Sequence, residues 1–432
     1  MRPGLLRQLF FWTHLVAGIA ASLVIAIMSI TGVALTFQPQ MEDSLSRGER
    51  RLDAAPTPAE RLPLEALVEA ARKQHPDLAF NSLSVFPEED AAVLLQAGRR
   101  GGVWVHPVTA ETWEANATGG HKTLRWLVGL HRWLALEGGG RTIGKALTGA
   151  SNLAFLWLAV SGIVLWFPRR WTKQALRSVA WFRGGLKGKA RDFNWHNAIG
   201  LWTSLVLVVV IASGVVISYG WASNLVYRVV GEEPPARGPR GGGGPKVEVP
   251  APAQGATALP LATLVEHAAK SGREWERLSI SLPPAPGGER GKRGGRGGSG
   301  KGGPDGGATT PRPVAVTLRA AGETPVNANH QLQLDPFTGA VLQATAPSDA
   351  SAGRRLRSWL RFLHTGEALG LFGQILAGLA SLGAVVLVWT GLALSWRRFF
   401  RRRRTATGAK ESLSASAGDA IPELNERSVS AG

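Results

Sequence analysis

Residues 10–37 read FFWTHLVAGIAASLVIAIMSITGVALTF, an apolar run of 28 residues with no Lys, Arg, Asp or Glu. A membrane-crossing helix takes about 20 such residues. The apolar core of a cleaved secretory signal is only about 7–15 residues long, so this run reads as an uncleaved span. Three further stretches have the same character: Ala146–Phe167, Ala198–Tyr219 and Leu369–Trp396. Trp12, Trp166, Trp195, Trp221 and Trp396 stand at the span ends, where membrane proteins place their aromatic belts. The fold class that follows is a membrane protein built on a four-helix transmembrane bundle.

Charge sets the expected orientation. Lys and Arg outnumber Asp and Glu 49 to 31 over the 432 residues, a formal net charge of +18. The loop between spans two and three holds Arg169, Arg170, Lys173, Arg177, Arg183, Lys187, Lys189 and Arg191 against Asp192. Arg397, Arg398 and Arg401 to Arg404 follow span four, and Arg2 and Arg7 precede or open span one. Short basic flanks stay in the cytoplasm, so both termini are expected inside. The long segments, about 40–145 and 222–368, are then outside. The basic excess serves the bilayer and its topology, with nucleic acid excluded as a partner. Cys is absent, which removes disulfides, thiolate zinc sites, iron–sulfur clusters and the attachment motif of c-type haem.

Each outer segment reads as a small α+β module. Helical periodicity covers Pro63–Gln74, followed by extended Asn81–Pro87 and Ala91–Gln96 around a Glu88-Glu89-Asp90 turn. The second segment repeats the order with Pro260–Lys270 helical and Arg277–Pro283, Val314–Arg319 and His330–Leu334 extended. Gly287–Gly307 has no apolar side chains to offset the entropy of ordering, so its composition predicts disorder. The resulting division is span one (1–39), first module (40–120), a His segment with span two (121–167), a basic loop (168–194) and span three (195–221). The second module (222–350, with the insert 287–307), a His segment with span four (351–396) and a basic tail (397–432) complete it.

The halves echo each other. His14-x3-Gly18 and Thr31-Gly32 recur at identical spacing as His196-x3-Gly200 and Ser213-Gly214. LPLEALVEAA (62–71) returns as LPLATLVEHA (259–268), and Val105-His-Pro-Val-Thr109 answers Leu334-Asp-Pro-Phe-Thr338. His131 with Ser161-Gly162 answers His364 with Thr390-Gly391 more loosely. Both halves enter from the same side, so the sequence predicts a parallel internal duplication about an axis along the membrane normal.

Four of the nine His hold repeat-equivalent places at span margins. His14 and His196 form an inner pair; His131 and His364 form an outer pair. Ionisable residues at such depth are functional candidates, and neutral imidazole ligates iron, zinc or copper. Two His at one depth, without Cys or paired carboxylates, suit the axial positions of a non-covalent b-type haem better than a tetrahedral ion. Gly18 and Gly200 lie four residues after their His and so share its helix face, offering a flat macrocycle a surface free of side chains. Each His taken singly also has a plain interfacial reading, and each Gly a helix-packing one; their register across both halves favours ligation. His75, His106, His121, His267 and His330 read as ordinary surface or loop residues.

These motifs resemble the PepSY-associated transmembrane family of bacterial inner-membrane proteins. The carrying residues are Trp12-Thr-His14-x3-Gly18, Trp195-His196-x3-Gly200, Leu130-His131, Leu363-His364-Thr-Gly-Glu and Leu334-Asp-Pro-Phe-Thr-Gly339. In the first module His106 replaces the Asp of that last motif and Ala110 the Gly. The family includes di-haem ferric-siderophore reductases, so the resemblance implies two b-type haems with His14, His196, His131 and His364 as axial ligands to iron. It further implies PepSY-like modules in the periplasm, a ferric siderophore or other periplasmic electron acceptor, and a quinol or cytoplasmic donor. Two other expectations stand beside it: a non-enzymatic PepSY membrane protein that binds a peptide or protein partner, and an iron-chelate transporter.

Overall fold

The computed structural model describes residues 3–98, 101–167, 172–235, 247–253, 255–270, 274–283, 311–322 and 329–400. The predicted disordered insert 287–307, the tail from 401 onward, and Arg2, Arg169 and Arg170 lie outside the described residues. In chain order the first elements are α1 (Pro3–Leu35), α2 (Gln38–Arg50), α3 (Leu64–Gln74), β1 (Ser82–Val85), β2 (Val93–Gln96), β3 (Gly102–Val105), β4 (Thr112–Glu114), α4 (Gly119–Trp133) and α5 (Gly140–Trp166). They are followed by α6 (Lys173–Ala180), α7 (Gly188–Ser218), α8 (Gly220–Val229), α9 (Leu261–Ala269), β5 (Trp275–Ser281), β6 (Val314–Ala320), β7 (Asn329–Leu334), β8 (Val341–Thr345), α10 (Ala352–Thr365) and α11 (Gly370–Phe400).

Among the described residues, the helices long and apolar enough to cross a membrane are α1, α5, α7 and α11, the last continuous with a short turn from Glu367. Each coincides with an expected span, and all four overrun the apolar stretch at one end, α1 at its start from Pro3, because helical backbone continues into polar sequence beyond it. Helix α1 stops earlier, at Leu35, where the chain turns into α2 with Pro39 in its first turn.

The described residues of Met1–Val33, Gly129–Ser218 and Ile375–Gly432 form one compact unit. Its helices carry large apolar side chains outward, among them Leu23, Leu205 and Trp389, while Thr31, Ser161, Ala198, Ser213, Ala384 and Thr390 are buried. A soluble bundle does the reverse; apolar outside and small or hydroxylic inside is the pattern of helices packed in lipid. Helices α5 and α7 pack along each other, and Asn152 Nδ2 on α5 donates to the Ile211 carbonyl on α7 at 3.4 Å.

The second unit comprises the described residues of Ala34–Val128 and Tyr219–Gln374. Where the sequence suggests two modules, it holds one eight-stranded antiparallel sheet in the order β4-β3-β2-β1-β5-β6-β7-β8. The segments join where β1 pairs with β5, placing Leu83 opposite Ile280. Alternation sends Leu83, Leu95, Val103, Val105, Leu278, Ile280, Val316 and Leu334 to one face, where Leu67, Val68 and Ala71 of α3 and Leu264 and Ala268 of α9 cover them. Each such large apolar side chain contributes about 1.5–3 kcal/mol by leaving water. One core therefore serves both segments. On the opposite face Ser84 and Ser279 are 2.8 Å apart, oxygen to oxygen, across the same strand pair.

The departure from the Asp-Pro-x-Thr-Gly motif leaves the first turn intact. His106 Nδ1 accepts from the Val108 and Thr109 N–H groups at 3.2 and 3.3 Å. Asp335 Oδ1 does the same for Phe337 and Thr338 at 2.8 and 3.4 Å. Ala110 takes φ 58° where Gly339 takes φ 70°, a left-handed conformation that strains an alanine.

Candidate functional site

His14 projects from α1 and His196 from α7 into the interior of the helical unit. Their ring centres lie 6.5 Å apart and the ring planes cross at 83°. Each ring is anchored by a neighbouring span. His14 Nδ1 is 2.8 Å from Ser161 Oγ on α5, and His196 Nδ1 is 2.9 Å from Thr390 Oγ1 on α11. The residue after each hydroxyl is glycine. A Cβ on Gly162 would stand 3.5 Å from His14 Cε1, and one on Gly391 would stand 3.5 Å from His196 Cε1, so each ring lies within van der Waals reach of the helix at its glycine.

The spacing can be tested against a shared metal. A metal–imidazole bond is about 2.0–2.1 Å. Two imidazoles on opposite sides of one ion then have ring centres roughly 6.3 Å apart. The observed 6.5 Å fits. With both Nδ1 atoms engaged by hydroxyls, Nε2 remains as the ligating nitrogen on each ring. Among the described residues no group of three or more His, Cys, Asp or Glu comes together to hold a metal, so the pair suits an ion that brings its other ligands with it.

Gly18 and Gly200 occupy matching places one turn from these His. A Cβ on either would be 3.6 Å from a leucine methyl, Leu158 for Gly18 and Leu387 for Gly200, an ordinary contact. Protein packing therefore leaves room for alanine at both positions.

His131 lies in the last turn of α4, and its Nδ1 is 2.9 Å from Thr31 Oγ1 on α1. Gly32 follows that hydroxyl, with a Cβ position 3.7 Å from His131 Cε1. The end of α4 is pressed onto α5: a Cβ on Gly144 would come within 2.1 Å of the Trp133 carbonyl oxygen. Thr148 Oγ1 donates to the Arg132 carbonyl at 3.0 Å. His364 belongs to the sheet-containing unit, in the last turn of α10, a helix that packs on α8 and ends at Gly366 with φ 81°.

Of the remaining His, His75 and His106 lie in loops as expected, whereas others depart from the surface or loop reading. His121 and His330 are buried. His121 Nδ1 is 3.1 Å from Glu49 Oε1, and Glu49 also accepts from Asn116 N at 2.7 Å, Trp104 Nε1 at 3.2 Å and Thr118 N at 3.3 Å. Burial works to raise the Glu49 pKa, but these donors and nearby His121 outweigh it and hold the carboxyl below its ordinary value. His75 Nε2 is 2.8 Å from Thr112 Oγ1, and His267 packs against Gly339.

Two features escape a reading of sequence alone. The hydroxyls of Thr31, Ser161 and Thr390 act beside the His, and the signal was a Ser or Thr placed directly before Gly in each span concerned. Asp192 reads as a lone acid in a basic loop. It is instead buried within α7, one turn before His196, and pairs with Arg397 of α11 and with Arg191 at 2.9 Å.

The family model for the PepSY-associated TM region matches residues 11–398. No curated protein matches the chain significantly.

Proposed function

We propose, from the premise that this chain belongs to the PepSY-associated TM family, that it is a b-type di-haem oxidoreductase of the bacterial inner membrane, passing electrons to a periplasmic ferric siderophore so that Fe(II) is released. The observation that carries the reading is the 6.5 Å separation of the His14 and His196 rings. Haem, when bound, supplies one-electron chemistry, its iron alternating between ferric and ferrous.

His14 and His196 hold the inner haem, and Gly18 and Gly200 keep the helix faces beside it clear. Apolar α1, α5, α7 and α11 keep water away, which together with the two imidazoles would tune the potential of a bound haem. For the outer haem the proposal stands on sequence: His131 and His364 hold repeat-equivalent positions in an internally duplicated chain. Lys173 and Arg177 of α6, Arg191 of α7, and Arg397 and Arg398 of α11 support a cytoplasmic location for those ends, which puts the sheet-bearing segments in the periplasm. Chelate oxygens prefer the harder ferric ion, so reduction loosens the iron. The donor is a quinol or a cytoplasmic reductant.

The test is a pyridine-haemochrome assay on protein purified from haem-replete cells, followed by reduction of a ferric siderophore by reconstituted vesicles supplied with a quinol as electron donor and a ferrous trap on each side. Two b-type haems per chain and Fe(II) on the siderophore side support the proposal. A colourless protein overturns it in favour of a peptide- or partner-binding membrane module. Iron accumulating on the far side points to transport instead.

A further inference from the structure

The three hydroxyls beside His14, His196 and His131 share one hydrogen-bonding arrangement. Ser161 Oγ donates to the Trp157 carbonyl one turn back at 2.6 Å. Thr390 Oγ1 donates to the Val386 carbonyl at 2.8 Å, and Thr31 Oγ1 to the Ile27 carbonyl at 2.7 Å. A hydroxyl has one hydrogen. Once it is given to the helix backbone, the oxygen offers the imidazole only lone pairs, so Nδ1 must carry the proton and donate.

Resting on the haem reading above, we infer that Ser161 and Thr390 are positioning residues that lock His14 and His196 as the Nδ1–H tautomer, with the Nε2 lone pair left for iron, and that Thr31 holds the proton on His131 Nδ1 in the same way. The opposite tautomer would put the proton on Nε2 of His14 and His196 and abolish ligation by both. The lock also sets ligand strength. An Nδ1–H that donates to an oxygen makes the ring a better electron donor, and loss of such a partner weakens the metal site.

Thr390→Val keeps shape and removes the acceptor, and Thr390→Ser restores the hydroxyl. In purified protein, Thr390→Val is expected to raise the midpoint potential of one haem and lower its retention on dilution, with the other haem unmoved. Thr390→Ser is expected to return both towards wild type, and Ser161→Ala to reproduce the shift from the opposite face. If wild type holds two haems but Thr390→Val and Ser161→Ala leave potential and retention unchanged, the lock is refuted while the haem reading stands. If wild type holds no haem, the haem reading itself fails. An equal change in both haems, or one that Thr390→Ser does not rescue, marks a general packing effect and also refutes the lock.

Discussion

His14 and His196 face each other across the helical unit with ring centres 6.5 Å apart and planes at 83°, although 181 positions separate them in the sequence. Ser161 and Thr390 on two further spans fix the rings, so four helices cooperate at one point. Everything proposed for the inner site follows from that meeting.

Removing either partner should empty one site. His196→Ala is expected to lower b-type haem from two per chain to one, read by pyridine haemochrome, with the helical content by circular dichroism unchanged. His14→Ala should give the same loss, since one imidazole cannot complete the pair. The double substitution should cost no more than either single one.

The glycines separate packing from cofactor. Gly18→Ala and Gly200→Ala meet only ordinary contacts at 3.6 Å, so folding and melting temperature should hold within the range of a mild surface change, about 0.5 kcal/mol. Haem occupancy should nevertheless fall, because the added methyl enters the face the macrocycle needs. Full occupancy with unchanged potential would remove these two glycines from the site.

Gly144 supports a different kind of claim. A Cβ there falls 2.1 Å from the Trp133 carbonyl, and backbone cannot yield as a side-chain tip can. Gly144→Ala should destabilise the unit by about 1–3 kcal/mol, the usual toll of overpacking, and displace the end of α4 that carries His131. Thermal unfolding in detergent checks the first effect and haem content the second.

Glu49 gives the sheet-bearing unit a dependence on pH. Its folded pKa lies below the ordinary value, so the stabilisation is fully present above the normal glutamate range and fades as pH falls through the lowered folded value. At neutral pH, Glu49→Gln should cost about 1.5–3 kcal/mol, as expected for hydrogen bonds to a charged acceptor. Melting curves of wild type and variant should converge as pH falls below that lowered folded value. A constant gap across that range would show that shape, not charge, matters at this position.

Much of the architecture was legible because its signals are local. Spans show as unbroken apolar runs, α3 and α9 as periodic ones, His14 stands out in a run without Lys, Arg, Asp or Glu, and the other three marginal His stand out by their repeat-equivalent places. The joined sheet was not legible: β1 and β5 pair through backbone groups, and nothing in Ser82–Val85 names Leu278–Ser281 as its partner. The roles of Thr31, Ser161 and Thr390 were hidden for the same reason, since a hydroxyl reveals its use only when a distant imidazole arrives beside it. Asp192 was misread because its counter-ion, Arg397, lies 205 positions away.

The most direct test is low-temperature electron paramagnetic resonance of the oxidised, purified protein beside His14→Ala and His196→Ala. Axial imidazoles with nearly perpendicular planes give a low-spin ferric signal of large anisotropy. Such a signal is expected in wild type and should vanish in both variants while a second haem signal persists. A wild-type spectrum without low-spin ferric haem, or an anisotropic signal that survives both substitutions, would contradict the sharing of one iron by His14 and His196.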